Sequence, residues 1–271
     1  MAELAVLIPT CCDDAARLHL AHSLATLALQ ALPFERVRVV VRDEGHVKAI
    51  TSDAVRLVLN LLARKGLEPV YVPATNRKGI AHARRELVER FAPSADLVLF
   101  LDDDMILEPG CIARLYQVLA DHPEAGFVQG AKIELNPSRT YWHDINQVND
   151  ERGGEPQPIF FGDAALLLLR RHALEVVRWD IVTRFSVEGL AGEDVIMTLM
   201  IRDRYPAWGV KDARAWHLSP SRERWRWEPA TDLLQVQLLK GVVSQETLTR
   251  ALPHLRSQIE QAFCSADPTG G

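Results

Sequence analysis

The chain has 271 residues, of which 48% are hydrophobic and 25% charged, a composition typical of globular proteins and unlike disordered, collagen-like or coiled-coil ones. With 31 Lys and Arg residues against 36 Asp and Glu residues, the net charge is −5, which argues against general binding to nucleic acids or anionic membranes. The length favours one α/β domain with a C-terminal extension.

The cysteines and the N-terminus indicate a reducing, cytoplasmic compartment. Cys11 and Cys12 are adjacent, Cys111 and Cys264 lie far from them, and no metal-type spacing is present, so we expect free thiols in a reducing compartment. The N-terminus has no basic segment before its short apolar run, which predicts a strand rather than a signal peptide. No later apolar run approaches the roughly 20 residues that span a bilayer. These features predict a soluble cytoplasmic protein without a membrane span.

The first half has a regular pattern. In chain order, apolar runs predict strands at residues 4–8, 37–41, 69–73 and 96–101, and apolar residues at helical spacing predict a helix after each of the first three. Strands that alternate with helices in this way predict a parallel sheet with helices on both faces.

Polar residues follow all four of these strands. In parallel sheets, ligands bind beyond the carboxyl ends of the strands. The first functional candidates are therefore the strand ends: Thr10, Asp43, Asn76 and residues 102–104.

The second half is less regular. A helix is predicted from Pro109 to about Ala120, because proline suits the first turn, and apolar runs predict strands at 127–135 and within 207–217. The polar stretch 136–158 predicts a long loop over the site.

Further helices complete the expected order. Glu193 and Asp194 open one helix, the chain from Leu233 onward is expected to be helical, and Pro253 begins a last helix. No clean boundary is visible, so we predict a single domain over residues 1–271. Its parts are a nucleotide-binding half of about 1–108, an acceptor half of about 109–217, and a C-terminal loop and helices of about 218–271.

Three consecutive aspartates form the sharpest motif. Asp102 and Asp104 point the same way from an extended chain, and Asp103 points the other way. Three adjacent carboxylates repel one another, and a divalent cation offsets that repulsion. Oxygen ligands suit Mg²⁺ or Mn²⁺, which then bridge to phosphate oxygens. A solvated acidic turn is the alternative interpretation.

Six short segments follow one another in order between residues 4 and 217: 6–10, 42–45, 76–84, 102–104, 161–164 and 192–195. Together they resemble segments of the family 2 glycosyltransferases. The DxD motif of that family is similar to residues 102–104, and its ED motif is similar to residues 192–195. The remaining matches are residues 6–10 with the opening strand, 42–45 with the acidic end of the second strand, 76–84 with the segment before the fourth strand, and 161–164 with a small-residue segment. The resemblance implies the GT-A fold, an α/β architecture with a mostly parallel central sheet, and a nucleotide-sugar donor, for which we expect a UDP-sugar.

The same resemblance implies a nucleoside pocket. Pro9, Thr10 and Asp43 would line it, with Asp43 accepting a hydrogen bond from a base N–H. Lys78 and Arg84 would lie near the base or the diphosphate. A turn-forming role for Asp43 and a solvated helix face for Lys78 and Arg84 are the alternatives.

It also implies a metal site. Asp102 would face the ribose or the metal, Asp103 would belong to the donor-binding set, and Asp104 would bind Mn²⁺ or Mg²⁺. His217 lies where many GT-A enzymes place a histidine that completes the metal site. A lone structural histidine is the alternative.

Two carboxylates are candidates for the chemistry. Glu193 and Asp194 open a helix, whose N-terminal dipole favours the ionised form, and an ionised carboxylate suits a base that takes a proton from an acceptor hydroxyl. A plain N-cap is the alternative. The resemblance implies that Gly162 and Asp163 lie near the transferred sugar, and a plain turn is the alternative.

Residues 221–227 alternate arginine with other residues. Arginine suits bidentate phosphate binding, so Arg222 and Arg224 are candidates for a loop that closes over the donor diphosphate and the acceptor. The alternative is a surface loop whose Trp225 and Trp227 pack on the core.

Taken together, the sequence predicts a metal-dependent glycosyltransferase. It would move a sugar from a nucleoside-diphosphate donor to a hydroxyl of a small-molecule or glycan acceptor, with inversion at the anomeric carbon. A retaining GT-A enzyme is the nearest alternative. A haloacid-dehalogenase-like phosphatase also carries an Asp-x-Asp strand end, although normally on its first strand, and a non-catalytic binding module is a third alternative.

Overall fold

A computed structural model describes residues 2–11, 14–134, 155–187, 192–218, 236 and 239–264. The first half alternates strands and helices as the sequence predicts. Its elements are β1 (Glu3–Thr10), α1 (Asp14–Ala28), β2 (Arg36–Asp43), α2 (Asp53–Arg64), β3 (Glu68–Pro73), α3 (Ile80–Phe91) and β4 (Leu97–Leu101).

The second half contains short strands that the apolar pattern does not reveal. These are β5 (Met105–Leu107), directly after the three aspartates, and β7 (Gln157–Pro158), within the stretch predicted as a loop. The other elements are α4 (Cys111–Asp121), β6 (Phe127–Glu134), β8 (Leu166–Arg170), α5 (Trp179–Val187), α6 (Glu193–Arg202), β9 (Ala207–His217), α7 (Gln245–Ala251) and α8 (Arg256–Cys264).

Some predicted elements differ from the structure or fall outside it. Pro253 begins a 3-10 turn, Pro253–Leu255, and the last α-helix begins at Arg256. Most of the predicted 136–158 loop, and part of the chain from Leu233 expected to be helical, lie outside the described residues.

One sheet contains the nine strands found in the described part of the chain. Its order is β3-β2-β1-β4-β8-β6-β9-β5, and β7 pairs with β9. The neighbours β3, β2, β1 and β4 are parallel, and so are β6 and β9. Strand β8 runs antiparallel between β4 and β6, and β5 runs antiparallel beside β9. The predicted α/β fold, with helices on both faces of a mostly parallel sheet, is confirmed.

Each face of the sheet carries its own apolar core, because side chains alternate along a strand. In β1, Leu4, Val6 and Ile8 enter one core, and Ala5 and Leu7 enter the other. The first core is covered by α1, α2 and α4, through residues such as Leu24, Leu62 and Leu115. The second is covered by α3, α5, α6, α7 and α8, through residues such as Leu87, Val182, Met197, Leu248 and Ile259.

This arrangement brings the functional candidates to one edge. Thr10, Asp43 and the run after Leu101 all follow carboxyl ends of parallel strands, and His217 ends β9. Two glycines with positive φ, Gly79 at 90° and Gly192 at 91°, precede the helices α3 and α6. Glycine adopts this backbone conformation without strain. Among the described residues, no helix is both long enough and apolar enough to cross a membrane.

The bulge between β6 and β9 has no space for a side chain at Gly130. The register shifts between Gly130 and Ala131, and a Cβ on Gly130 would collide with the Leu166 side chain and lie 2.7 Å from the Ala213 carbonyl oxygen. Gly130→Ala is therefore expected to lower the free energy of unfolding by about 1–3 kcal/mol, the usual cost of overpacking. Urea unfolding monitored by circular dichroism measures it.

Gly241→Ala is the matched control, because a Cβ there meets no atom within 4 Å. Its unfolding midpoint should remain near that of the parent. Equal losses in the two variants would contradict the packing argument.

Candidate active site

Each of the three consecutive aspartates contacts a different side chain. The Thr10 hydroxyl donates to Asp103, which links the end of β1 to the run after β4. Asp104 Oδ2 lies 3.1 Å from His217 Nε2. Asp102 Oδ1 accepts from Arg84 at 3.0 Å. The predicted strand-end cluster therefore forms, and each of its carboxylates has a distinct environment.

Burial changes the ionisation of this cluster. The pKa of Asp103 is raised to about 7, first by burial and then by the negative charges of Asp104 and Asp102, although the Thr10 hydroxyl opposes the shift. The pKa of Asp102 is also raised, mainly by burial, while the Arg84 guanidinium acts in the opposite direction. The run of carboxylates therefore favours a cation beside it.

Arg84 joins the two halves of the site. Its side chain is only 4% exposed, and it donates to Asp102 after β4 and to Glu193 at the start of α6. Burial lowers the pKa of this guanidinium, but the charges of Glu193 and Asp102 outweigh burial and raise the pKa above its usual value. The alternative that Arg84 lies on a solvated helix face is wrong, because α3 directs it into the cluster of carboxylates. The contact of Arg84 with the base or the diphosphate stays a prediction.

Asp43 organises a turn at the end of β2. Its side chain is fully buried, and its oxygens accept from the Gly45 and Ala49 amides, each at 2.6 Å, and from the Tyr71 hydroxyl. These contacts are those of the turn-forming alternative. The contact of Asp43 with a nucleobase stays a prediction.

Glu44 holds the segment before α3. Its two carboxylate oxygens accept from the amides of Lys78 at 3.2 Å and Gly79 at 3.1 Å, and Arg42 donates to it at 2.5 Å. The Lys78 side chain is exposed, so it is available to a ligand. Pro9, by contrast, is buried in β1.

The small-residue segment forms a tight turn between β7 and β8. Asp163 Oδ1 accepts from the Ala165 amide at 2.9 Å, and Lys132 donates to Oδ2. Burial raises the pKa of Asp163, but Lys132 overcomes this effect and lowers the pKa below its usual value. A Cβ on Gly162 would lie 2.8 Å from Gln129 Oε1 and 2.9 Å from a Leu167 methyl group, so a larger residue here would displace these side chains.

Asp194 stands at the start of α6, next to that turn. Its Oδ1 accepts from the Val195 amide at 2.8 Å and its Oδ2 from the Ala164 amide at 3.3 Å. Its pKa is raised to about 7, first by burial and then by the charges of Glu193 and Asp163. A carboxylate with this pKa matches the requirement for a base near neutral pH.

The predicted metal ligands are assembled only in part. Among the residues that the structure describes, no three His, Cys, Asp or Glu side chains form a cluster of the kind that holds a metal ion. Asp104 and His217 are adjacent, whereas Asp102 faces Arg84. The place of Asp102 in the metal site stays a prediction.

Four residues of this site are not predicted by the sequence, and two predicted residues lie outside the described part of the chain. Lys132, Gln129, Thr198 and Tyr71 contact the predicted residues. None of them belongs to a motif or a strand end, so only their position in three dimensions reveals them. Arg222 and Arg224 lie outside the described residues.

Because Arg84 bridges two carboxylates, we expect its substitution to lower the stability of the fold considerably. Arg84→Gln should lower the free energy of unfolding by about 3 kcal/mol, because breaking a buried ion pair leaves an uncompensated charge. Urea unfolding at pH 7 measures this loss.

The neighbouring residue on α3 provides the control. Arg85 pairs with Glu89 at 2.8 Å on the exposed side of the helix, so Arg85→Gln should cost less than about 1 kcal/mol. Equal effects of the two variants would show that Arg84 is not a structural bridge.

Known glycosyltransferases share both the sequence pattern and the fold. The sequence profile of the family described as "Glycosyltransferase like family 2" matches residues 2–228. No curated protein sequence matches the chain.

Several solved structures superpose on nearly the whole chain. TarS 1–349 from S. aureus has a TM-score of 0.62 at 14% identity, covering 96% of this chain and 69% of TarS 1–349, and TarS 1–349 has also been solved in complex with UDP-GlcNAc. The mannosyltransferase PcManGT from Pyrobaculum calidifontis, solved with GDP-Man and Mn²⁺, has a TM-score of 0.60 at 18% identity and coverages of 99% and 76%. GalNAc-T7, solved with UDP, GalNAc and Mn²⁺, has a TM-score of 0.57 at 12% identity and coverages of 98% and 55%.

At these identities the structural likeness establishes the fold, and the profile establishes the family. The GT-A architecture and the family profile agree with the sequence motifs over most of the chain. The chain therefore belongs to the family 2-like glycosyltransferases.

Proposed function

We propose that this glycosyltransferase transfers a hexose from a nucleoside-diphosphate donor to an acceptor hydroxyl with inversion, and that Asp194 is the base. The observation that carries the proposal is the environment of Asp194. Its carboxylate, at the start of α6, accepts from the backbone amides of Val195 and Ala164 and has a pKa of about 7. It can therefore be ionised, and ready to accept a proton, near neutral pH.

The donor would occupy the edge formed by the ends of β1, β2 and β4. The polar residues there, Thr10 and residues 102–104, lie together, and the exposed Lys78 borders the same edge. The structural relatives include complexes with UDP-GlcNAc and with GDP-Man. We expect a UDP-sugar as the donor here.

A divalent cation, Mn²⁺ or Mg²⁺, fits the donor set that the chain provides. Asp104 and His217 offer an oxygen and a nitrogen 3.1 Å apart, and a neutral imidazole and a carboxylate both serve as metal ligands. Asp102 would join them on the nucleotide side. The cation would neutralise the leaving diphosphate, and PcManGT and GalNAc-T7 were solved with Mn²⁺.

The acceptor side favours a single displacement. Asp102 and Asp104 lie on the nucleotide side, so the proton of the acceptor hydroxyl needs another carboxylate. Glu193 is paired with Arg84, which leaves Asp194 as the base and gives Glu193 a supporting role. One displacement inverts the anomeric carbon, whereas a retaining enzyme of the same fold would not need this base. Nothing observed favours the phosphatase alternative.

Asp194→Asn tests the base directly. Turnover should fall by roughly 10²–10⁴, because an amide cannot take the acceptor proton, while the affinity for the donor should be nearly unchanged. For the parent enzyme, kcat/KM should fall as the pH drops below about 7 and Asp194 becomes protonated. Steady-state kinetics and calorimetry with UDP-sugars measure both quantities.

Asp121, which ends α4 and is exposed, supplies the control variant Asp121→Asn, whose kinetics should match the parent. NMR of the product from an α-linked donor should show a β linkage. An α product would overturn inversion, and near-normal turnover of Asp194→Asn would remove Asp194 from the chemistry.

Removal of the metal should abolish tight nucleotide binding. Without a cation, the carboxylates at the strand ends repel the diphosphate, so calorimetry should show much weaker binding of UDP in EDTA than in Mn²⁺. Asp104→Asn should weaken binding more than Asp121→Asn, and His217→Ala should raise the Mn²⁺ concentration that activity requires. Equal UDP affinity in EDTA and in Mn²⁺ would refute the metal bridge.

A further inference from the structure

Three consecutive backbone amides in the turn at residues 162–164 are each bound by a side-chain oxygen from elsewhere in the fold. The acceptors come from β6 and from two positions on α6. The pairs are Gly162 N with Thr198 Oγ1 at 2.9 Å, Asp163 N with Gln129 Oε1 at 2.8 Å, and Ala164 N with Asp194 Oδ2 at 3.3 Å.

Thr198 lies one helical turn after Asp194 and is fully buried. Its hydroxyl oxygen is 2.8 Å from the Asp194 carbonyl oxygen, four residues earlier in α6. A hydroxyl carries one hydrogen and two lone pairs. Thr198 can therefore donate to the Asp194 carbonyl, a common bond for threonine in helices, while it accepts from the Gly162 amide.

These bonds close a ring around the candidate base. The main chain of Asp194 is tied through Thr198 to Gly162, and its carboxylate is tied directly to Ala164, two residues further along the turn. The Val195 amide holds the other carboxylate oxygen. The helix and the turn therefore cannot shift relative to each other without breaking a bond to Asp194.

We propose that Thr198 is a positioning residue for the transfer, whose hydroxyl fixes the direction in which the Asp194 carboxylate meets the acceptor. The inference rests on the proposed role of Asp194 as the base. Thr198 itself is buried beneath the turn and acts only through Gly162 and Asp194. A small misplacement of a reacting group is enough to slow a reaction greatly, so one buried hydroxyl can control turnover.

The hydroxyl should also influence the titration of the base. If the turn moves away, the Asp194 carboxylate loses the Ala164 amide, a donor that favours its ionised form. The pKa of Asp194 would then rise further. The charged groups facing it are Glu193 on α6, Asp163 in the turn with its partner Lys132 on β6, and Arg84 on α3.

Two substitutions of Thr198 and one control distinguish the effect of the hydroxyl from the effect of side-chain volume. Thr198→Val removes the hydroxyl and keeps the shape, and Thr198→Ser keeps the hydroxyl. Thr183→Val is the matched control, because Thr183 is also buried and makes the same type of bond, to the Trp179 carbonyl oxygen at 2.7 Å, in α5.

With UDP-GlcNAc and GDP-Man as donor probes, Thr198→Val should lower kcat by about 10-fold or more while the donor KM stays within about 2-fold. The acidic limb of its pH profile should move to higher pH. Thr198→Ser and Thr183→Val should behave like the parent.

Two measurements need no turnover. Carbon-13 NMR of the Asp194 carboxyl should show titration at higher pH in Thr198→Val, and hydrogen exchange of the Ala164 amide should be faster. Both should return to the parent values in Thr198→Ser. Parent-like kcat, titration and exchange in Thr198→Val would overturn the proposal.

The same experiments distinguish this proposal from the proposed function. If Asp194→Asn keeps its turnover, the assignment of the base fails, and the NMR and exchange data still show whether Thr198 holds the carboxylate. If Thr198→Val does not fold, Thr198→Ser and Thr198→Ala decide the question, because both lack the methyl group and only Ser has the hydroxyl. Equal rates in these two variants would overturn the proposal.

Discussion

The accumulation of negative charge at one end of the sheet is the constraint on which the rest of the site depends. Among the residues that the structure describes, the carboxylates that interact there include those of Asp102, Asp103, Asp104, Asp163, Glu193 and Asp194. Arg84 neutralises part of this charge on both sides at once, and Lys132 neutralises Asp163. Burial raises the pKa of Asp103 and Asp194 most, and neighbouring negative charges raise it further. Lys132 instead lowers the pKa of Asp163. Asp163 stays charged, whereas Asp103 and Asp194 titrate near neutral pH.

The sequence was enough to predict the parts of the fold that repeat. Alternating strands and helices, and polar residues directly after buried strands, led to the α/β fold and to the edge where Thr10 and residues 102–104 meet. A strand of three residues such as β5, or of two such as β7, contains too few side chains to show a period of two. Such strands form because a neighbouring strand offers free backbone groups.

The supporting residues of the site could not be predicted for a related reason. Nothing in the local sequence distinguishes Gln129 from the other residues of β6, or Thr198 from its apolar neighbours in α6. Both nevertheless accept from amides of a turn more than 30 residues away in sequence. The motif around Asp43 suggested a contact with a nucleobase, which stays a prediction, and the structure adds that Asp43 binds two amides of its own loop. Local sequence indicates that a carboxylate is present, and only long-range packing decides what it faces.

The position of β9 has a consequence for how the chain folds. Among the described strands it is the last in sequence and ends at residue 217, yet it lies inside the sheet between β6 and β5. Strand β8, likewise late, separates β4 from β6. Synthesis must therefore reach residue 217 before this sheet can be completed, and the sheet edge that later pairs with β8 stays unpaired until then. Non-local pairings of this kind fold slowly and expose the chain to aggregation. Expression at low temperature, or with chaperones that shield such edges, should therefore raise the yield of folded enzyme.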